Sequence, residues 1–337
     1  MNRRDWLRGF ALGAAGLAVS SLGIEKHLDM PKQESVLLAG TNQNVDFEQF
    51  ANELLPDFIY TEYDLHLEET DERRKKYESL KEKVENASRS MGIELCSEEA
   101  TKLMRDKGYV FYCLPSAINN SLSDEVAALV GRGKKSYFFG RISDQTVING
   151  FDWSKYKAHK ILFYDELAPN FENYSSFAGV SGRHMNAPDD VIIVDRTQIM
   201  NDSKFKYDQC QRNKTNPKIA GDFYFAMISK LCGSAGSPEK LYDVFVESVI
   251  YHELGHEEHK TGADGEMHAF LNQMIRQPYF GLATIEANSR VKEAGIHKTA
   301  SERIFELLDA KGYSRAKLLE CNEPEISDVA RKIMEEN

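Results

Sequence analysis

The spacing of apolar and polar residues divides the chain into two helical parts with a β-rich part between them. From Asp46 to about Arg132 apolar residues recur mainly at helical intervals, and LEETDERRKKYESLKEKVENASRS is a charged helix with a narrow apolar stripe. Between Lys135 and Arg196 the chain has short apolar runs, SYFFGRI, HKILFY and DVIIVD, separated by turn residues. We therefore expect an α+β fold, mainly helical, in which a small mixed sheet packs on one central helix.

The central helix has the clearest start signals. Ser237 is a good N-cap, Pro238 suits the first helical position, and Glu239 suits the positive end of the helix dipole. An apolar face follows at helical spacing and comprises Leu241, Val244, Phe245 and Val249.

The composition is that of an ordinary globular protein: of the 337 residues, 42% are hydrophobic and 28% are charged. The formal net charge of −11 argues against nucleic acid or an anionic membrane surface as the main partner. No stretch is long and apolar enough to predict a spanning helix.

The first 24 residues, MNRRDWLRGFALGAAGLAVSSLGI, have a basic start followed by an uncharged run rich in Gly, Ala and Ser. The run is short for a membrane span and is more typical of a signal sequence. The stretch RRDWLR resembles a twin-arginine export signal, which implies a periplasmic, cell-surface or extracellular location. The alternative is an uncleaved anchor formed by residues 9–24, which would then be the only membrane contact.

The spacing of the cysteines does not indicate a metal site. The five cysteines are far apart and contain no C-x-x-C pair, which argues against a cysteine zinc ribbon. One or two long-range disulfides are compatible with export, but their pairing cannot be read from the sequence.

The candidate chemistry lies in VIYHELGHEEHK, at the end of the central helix. His252 and His256 are one turn apart on the continuation of the apolar face, so both imidazoles can reach one zinc ion at roughly 2.0–2.1 Å. Glu253 is offset around the helix, where it can approach a water as general base. Gly255 leaves room for another backbone or a substrate to approach closely. We expect one Zn²⁺ per chain.

The third ligand is less clear. A metzincin would need Gly at position 259 and His at 262, and the chain has His259 and Gly262 there. Glu266 lies in the first turn of the next predicted helix, which Asp264 can cap, and so suits a His₂Glu site. Glu286 is the rival, because the letters E-A-N begin there at a longer spacing.

With these residues the chain resembles the gluzincin-type His-Glu-x-x-His metallopeptidases, whose third ligand is a Glu on a following helix. The E-x-x-A-F that begins at Glu266 is similar to the E-A-N-x-F of compact members such as the phage-repressor-cleaving peptidases. The chain departs from them at His268, where they have Asn, and in the short step from His256 to Glu266. The resemblance covers roughly residues 185–290 and implies hydrolysis of a peptide or protein substrate.

Several assignments stay open. An oxyanion donor is needed, and His268, Tyr279 and His297 have suitable chemistry. In related enzymes an edge strand before the active-site helix holds the substrate by strand addition; DDVIIVD is placed to do this, or is a plain core strand. Two other functions fit the sequence: an exported non-catalytic binding protein whose metal is structural or absent, and a metal-dependent hydrolase of a non-peptide amide.

The predicted organisation has four segments. They are an export signal or anchor at 1–24, a linker at 25–45, a helical N-terminal region at 46–134, and a zincin-like metallopeptidase domain with a helical C-terminal part at 135–337.

Overall fold

The computed structural model of the protein describes residues 46–67, 70–115, 135–152, 155–166, 182–185, 190–213, 222–256, 262–291 and 295–337. The predicted export signal at 1–24 and linker at 25–45 lie outside these residues. Within them, no helix combines the length and the apolar character that crossing a membrane requires.

The described chain begins with helices. These are α1 (Phe47–Gln49), a π-helical turn (Phe50–Leu54), α2 (Leu55–Leu67), α3 (Asp71–Ser90) and α4 (Glu98–Asp106). Thr70 and Ser97 cap α3 and α4, since each side chain accepts the N–H of the residue three positions on. Charged α3 buries Val84 and Ala87 and leaves most of its charges in water, as its narrow apolar stripe predicts.

A strand lies inside the region that the sequence analysis describes as mainly helical. Residues Tyr109–Pro115 form β1 and pair antiparallel with β2 (Lys135–Asp152) along the whole of β1. The run YVFYCLP has no alternation of apolar and polar residues, so periodicity alone cannot distinguish a strand from a helix. Pairing with β2 shows that the run is a strand. A disulfide between Cys96 and Cys113 ties the connection between α3 and α4 to β1.

The five described strands form one mixed sheet in the order β1-β2-β3-β5-β4. The remaining bounds are β3 (Lys155–Glu166), β4 (Gly182–Met185) and β5 (Val191–Asp195). Among the described strands, only β3 and β5 pair in parallel. The predicted runs SYFFGRI, HKILFY and DVIIVD lie in β2, β3 and β5, and the α+β class is confirmed.

The position of β5 decides between the two interpretations of DDVIIVD. β5 lies between β3 and β4, and all five of its residues are buried. It is therefore a core strand, and its predicted use for strand addition is wrong. Among the described strands, the short strand β4 forms the edge on this side of the sheet.

Helices make up the rest of the described chain. They are α5 (Arg196–Asn213), α6 (Phe223–Ala235), α7 (Pro238–Gly255), α8 (Gly262–Arg276), α9 (Pro278–Ser289), α10 (Ile296–Ala310), α11 (Arg315–Glu320) and α12 (Glu323–Glu336). Ile161, Ile192 and Val194 of the sheet share one core with these helices. Tyr137 and Phe139 of β2 share another with the N-terminal helices. The sheet therefore joins both helical parts, across the boundary predicted at residue 134.

Candidate metal centre

Helix α7 presents the two histidines of the His-Glu-x-x-His segment to one point. The helix starts as predicted, because Ser237 Oγ accepts the N–H of Lys240 at 3.3 Å and Pro238 is its first residue. His252 lies in its last turn and His256 is its C-cap, with their Nε2 atoms 3.2 Å apart. Two nitrogens bound to one tetrahedral zinc ion are about 3.4 Å apart, so one ion can bridge this pair.

Close packing of α8 on α7 brings a carboxylate to the same point. A Cβ at Gly255 would lie 2.5 Å from Ala269 Cα, so the glycine permits the backbone approach predicted for it. The Glu266 carboxylate consequently lies 3.6 Å from His252 Nε2 and 3.7 Å from His256 Nε2. The structure therefore brings the predicted ligands His252, His256 and Glu266 together.

The start of α8 differs from the prediction. The helix begins at Gly262, in the left-handed region at φ +66°, so Asp264 falls in its first turn rather than at its cap. The Asp264 side chain instead accepts a bond from Arg303 Nη1 at 2.6 Å. Residue 259, the histidine of the unmatched metzincin pattern, lies outside the described residues.

The rival glutamate has other partners. Glu286 lies on α9, where Oε1 accepts from Arg290 Nε at 2.7 Å and Oε2 accepts from Arg315 Nε at 2.8 Å. Its charge is thus compensated within the protein. A sequence signal for this was present, since Arg290 stands four residues after Glu286 on one helix.

A third histidine enters the site from α10. His297 Nε2 lies 3.3 Å from Glu266 Oε1, which ranks it first among the three candidate oxyanion donors. Tyr279 instead lies below Lys230 Nζ, 5.1 Å from the ring centroid, near the C-terminal helices. His268 is buried on α8. His297 could not be ranked from the sequence because α10 reaches the site through long-range packing.

Burial sets the charge states of the cluster. It lowers the pKa of His252 well below its usual value, with further lowering by His256 and His297. It also lowers the pKa of His256 to about 4 and raises the pKa of Glu266 to about 8. Both helix α7 imidazoles are therefore neutral at pH 7, which is the form that binds a metal ion.

The polar atoms of the cluster fit a divalent cation. His252, Glu253 and His256 form a group that can hold a metal ion. Glu266 Oε2 and His252 Nδ1 are buried and have no hydrogen-bond partner among the described residues. Among the described residues Glu266 pairs with imidazoles and with no Lys or Arg, so a bound cation would stabilise its ionised form.

Strand β4 holds Glu253 beside the two histidines of α7. Gly182 makes this possible, because a Cβ there would collide with the side chain of Val249. Glu253 Oε2 accepts the backbone N–H of His184 at 2.9 Å. Burial raises the pKa of Glu253 to about 7, although the His184 bond and the charge of Arg183 lower it in part. The carboxyl can thus exchange a proton near neutral pH.

A second polar group fixes β4 itself, and the sequence analysis missed it. His184 Nε2 and Asp190 Oδ1 are 2.6 Å apart, and the ring of buried His159 meets the His184 ring edge-on at 6.3 Å between centroids. The three side chains come from β3, from β4 and from the residue before β5. Strand register, which the sequence does not show, brings them together.

Comparison with known proteins adds no relative: no family model, no curated protein and no solved structure matches the chain. Function is therefore inferred from the residues of this chain and their geometry.

Proposed function

We propose that this protein is a zinc-dependent metallopeptidase that hydrolyses peptide bonds in peptides or proteins. One zinc ion would be held by His252, His256 and Glu266, with Glu253 as general base. The observation that carries the proposal is the convergence of two imidazoles from α7 and one carboxylate from α8, with 3.2–3.7 Å between their ligand atoms.

The residues around the ion have separable roles. When bound, zinc would polarise the scissile carbonyl and lower the pKa of a water molecule. The His184 N–H holds Glu253 Oε2, which leaves Oε1 to take a proton from water and pass it to the leaving amine. With its pKa at about 7, Glu253 is suited to both transfers.

The edge strand β4 favours a peptide substrate over a non-peptide amide substrate. β4 ends the described sheet, and an extended peptide can add to such an edge through main-chain hydrogen bonds. The same strand contains His184, whose N–H contacts Glu253. A peptide added there would lie beside the general base. A hydrolase of a non-peptide amide would share the ligands but would not need this edge.

The principal test is Glu253→Gln beside Glu247→Gln, a control on the exposed side of the same helix. We expect both variants to retain about one zinc per chain. Peptide hydrolysis should fall by about 10²–10⁴ in Glu253→Gln, because the proton acceptor is lost, and stay near wild type in the control. Unchanged hydrolysis in Glu253→Gln would contradict the role of Glu253 as general base.

One observation favours a second candidate function, a non-catalytic binding protein. His297 lies 3.3 Å from Glu266, so it would complete a four-ligand site, and closed sites of that kind are structural. Zinc content and hydrolysis of His297→Ala separate the two candidates. For the peptidase we expect zinc to stay and the rate to fall about 10²–10³-fold, as for a lost oxyanion donor. Loss of zinc would instead support the closed structural site.

We also propose that the chain is exported, on the resemblance of residues 1–24 to an export signal. The Cys96–Cys113 disulfide supports this, because such bonds persist mainly in oxidising compartments. Cell fractionation of the full chain, with Arg3→Lys and Arg4→Lys together as the comparison, tests it. Retention of both proteins in the cytoplasm would contradict export.

A further inference from the structure

Two cysteines outside the candidate metal centre lie unusually close together. Cys210 of α5 and Cys232 of α6 are thiols, and their Sγ atoms are 2.8 Å apart. Two contacts from thiols to backbone oxygens are longer: Cys210 Sγ to Ile228 O is 3.6 Å, and Cys321 Sγ to Lys317 O is 3.3 Å. A disulfide requires about 2.05 Å, a difference that small side-chain rotations can supply.

The surroundings hold these sulfurs in place. Both cysteines are 4% exposed and belong to the core shared by the sheet and the later helices. The helices that hold them are joined again by the contact of Lys206 Nζ with the Tyr224 hydroxyl, and by Tyr207 OH donating to Gly236 O at 2.9 Å. The approach of the two sulfurs therefore follows from the packing of α5 against α6.

We propose that Cys210 and Cys232 form a second disulfide, which leaves Cys321 as the single free thiol. The oxidant is a disulfide of the glutathione or oxidoreductase class. One cysteine thiolate attacks it and releases one thiol, and the other cysteine thiolate then displaces the second. Two protons and two electrons leave the protein, and two thiols of the oxidant are formed. Because both sulfurs are buried, exchange must precede the closure of α5 on α6.

The cross-link would strengthen the scaffold of α7. Helices α5 and α6 both pack against α7, and the bond would join residues 22 apart in sequence. A disulfide limits the conformations of the unfolded chain, and closing a loop of this size stabilises the folded state. The inference is independent of the proposed peptidase function, since it concerns neither the metal ligands nor Glu253.

The test is a thiol count with an internal control. The reduced, unfolded full chain is refolded in a mixture of reduced and oxidised glutathione, unfolded again without reductant, and alkylated. In molecules where Cys96–Cys113 has closed, we expect one alkylated cysteine of five, at position 321. Trypsin should release YDQCQR joined to LCGSAGSPEK. Three alkylated cysteines, or a linkage that includes Cys321, would overturn the proposal.

Stability provides a second measurement. Under oxidising conditions, the double variant Cys210→Ser with Cys232→Ser should melt about 5 °C below wild type, and the gap should shrink when a reductant is added. Cys321→Ser is the control and should keep both the cross-link and its stabilising effect. If the reductant leaves the difference in melting temperature unchanged, the lower stability is caused by serine in the core, which would contradict a stabilising disulfide.

Discussion

Glu266 and Glu286 lie on consecutive helices, and both are almost completely buried, with 10% and 5% of their side chains exposed. Their surroundings differ in one respect. Glu286 receives charged hydrogen bonds from Arg290 and Arg315. Among the described residues, the basic side chains paired with Glu266 are His252, His256 and His297, whose pKa values burial lowers.

The comparison shows which buried carboxylate needs an external cation. A buried charge is stable only when it is paired, and Glu286 is paired within the chain. Glu266 has neutral imidazoles beside it, so burial raises its pKa to about 8. The proposed ligand Glu266 therefore has no positively charged partner among the described residues, whereas Glu286 has two arginine partners.

The largest expected effect is on zinc binding, in the matched variants Glu266→Gln and Glu286→Gln. We expect zinc per chain to fall from about one towards zero in the first, because a carboxylate ligand is lost, and to stay at about one in the second. Elemental analysis of the dialysed proteins measures this.

The same pair should differ in thermal stability. Added zinc should raise the Tm of Glu286→Gln but not that of Glu266→Gln, because only a folded state that binds the ion is stabilised by it. Glu286→Gln should also lose about 1–2 kcal/mol in the free energy of unfolding, since its arginines are half exposed and water can solvate them. Equal zinc content in wild type, Glu266→Gln and Glu286→Gln would mean that neither glutamate is the third ligand.

A smaller effect is expected from changing the approach of α8 to α7. Gly255→Ala would place a Cβ 2.5 Å from Ala269 Cα, so the helices must separate and Glu266 must move from the histidines. We expect weaker zinc binding by about tenfold and a loss of about 1–3 kcal/mol in the free energy of unfolding. Gly233→Ala in α6 is the control, because its Cβ meets no atom within 4 Å. Competition with a chelator measures the affinity; equal zinc affinity in both variants would remove the role given to Gly255.

The pH dependence of the metal-free chain should give the smallest effect. Glu266 and Glu253 keep a proton up to about pH 8 and pH 7 when folded, but lose it near pH 4.5 when unfolded, so they lower stability as pH rises. His256 acts in the opposite direction below pH 6.5, because its pKa is lowered to about 4 in the folded state.

Between about pH 6.5 and 8 only the carboxyl contributions remain. Stability of the metal-free chain should therefore decline across this interval, as measured by urea unfolding. Glu266→Gln should reduce the decline and Glu286→Gln should preserve it. A decline that is identical in both variants would mean that Glu266 does not cause it.

The sequence was sufficient for features that depend on neighbouring residues. The start of α7, the spacing of its histidines, and strands β2, β3 and β5 follow from local patterns, and the structure agrees with them. The approach of Glu266 was foreseeable in part, because Gly255 permits close packing and the next helix follows after a short connection.

Features that depend on distant pairing were not foreseeable. β1 reads as an uninterrupted apolar run until its partner β2 is known, and the edge position of β4 follows from strand order alone. His297 joins the site because α10 packs against α8. The letters E-A-N at Glu286 do not show which charges surround this residue, since Arg315 comes from another helix.

The pairing of β1 with β2 has a consequence for how the chain can mature. A protein shortened to residues 135–337 would lose β1, and β2 would become a long open edge with Tyr137 and Phe139 uncovered. Such an edge invites pairing with other chains, and its aromatic face would meet water. The segment before residue 135 is thus a structural partner of the later part. Proteolytic removal of it would produce an aggregating fragment rather than an independently folded domain.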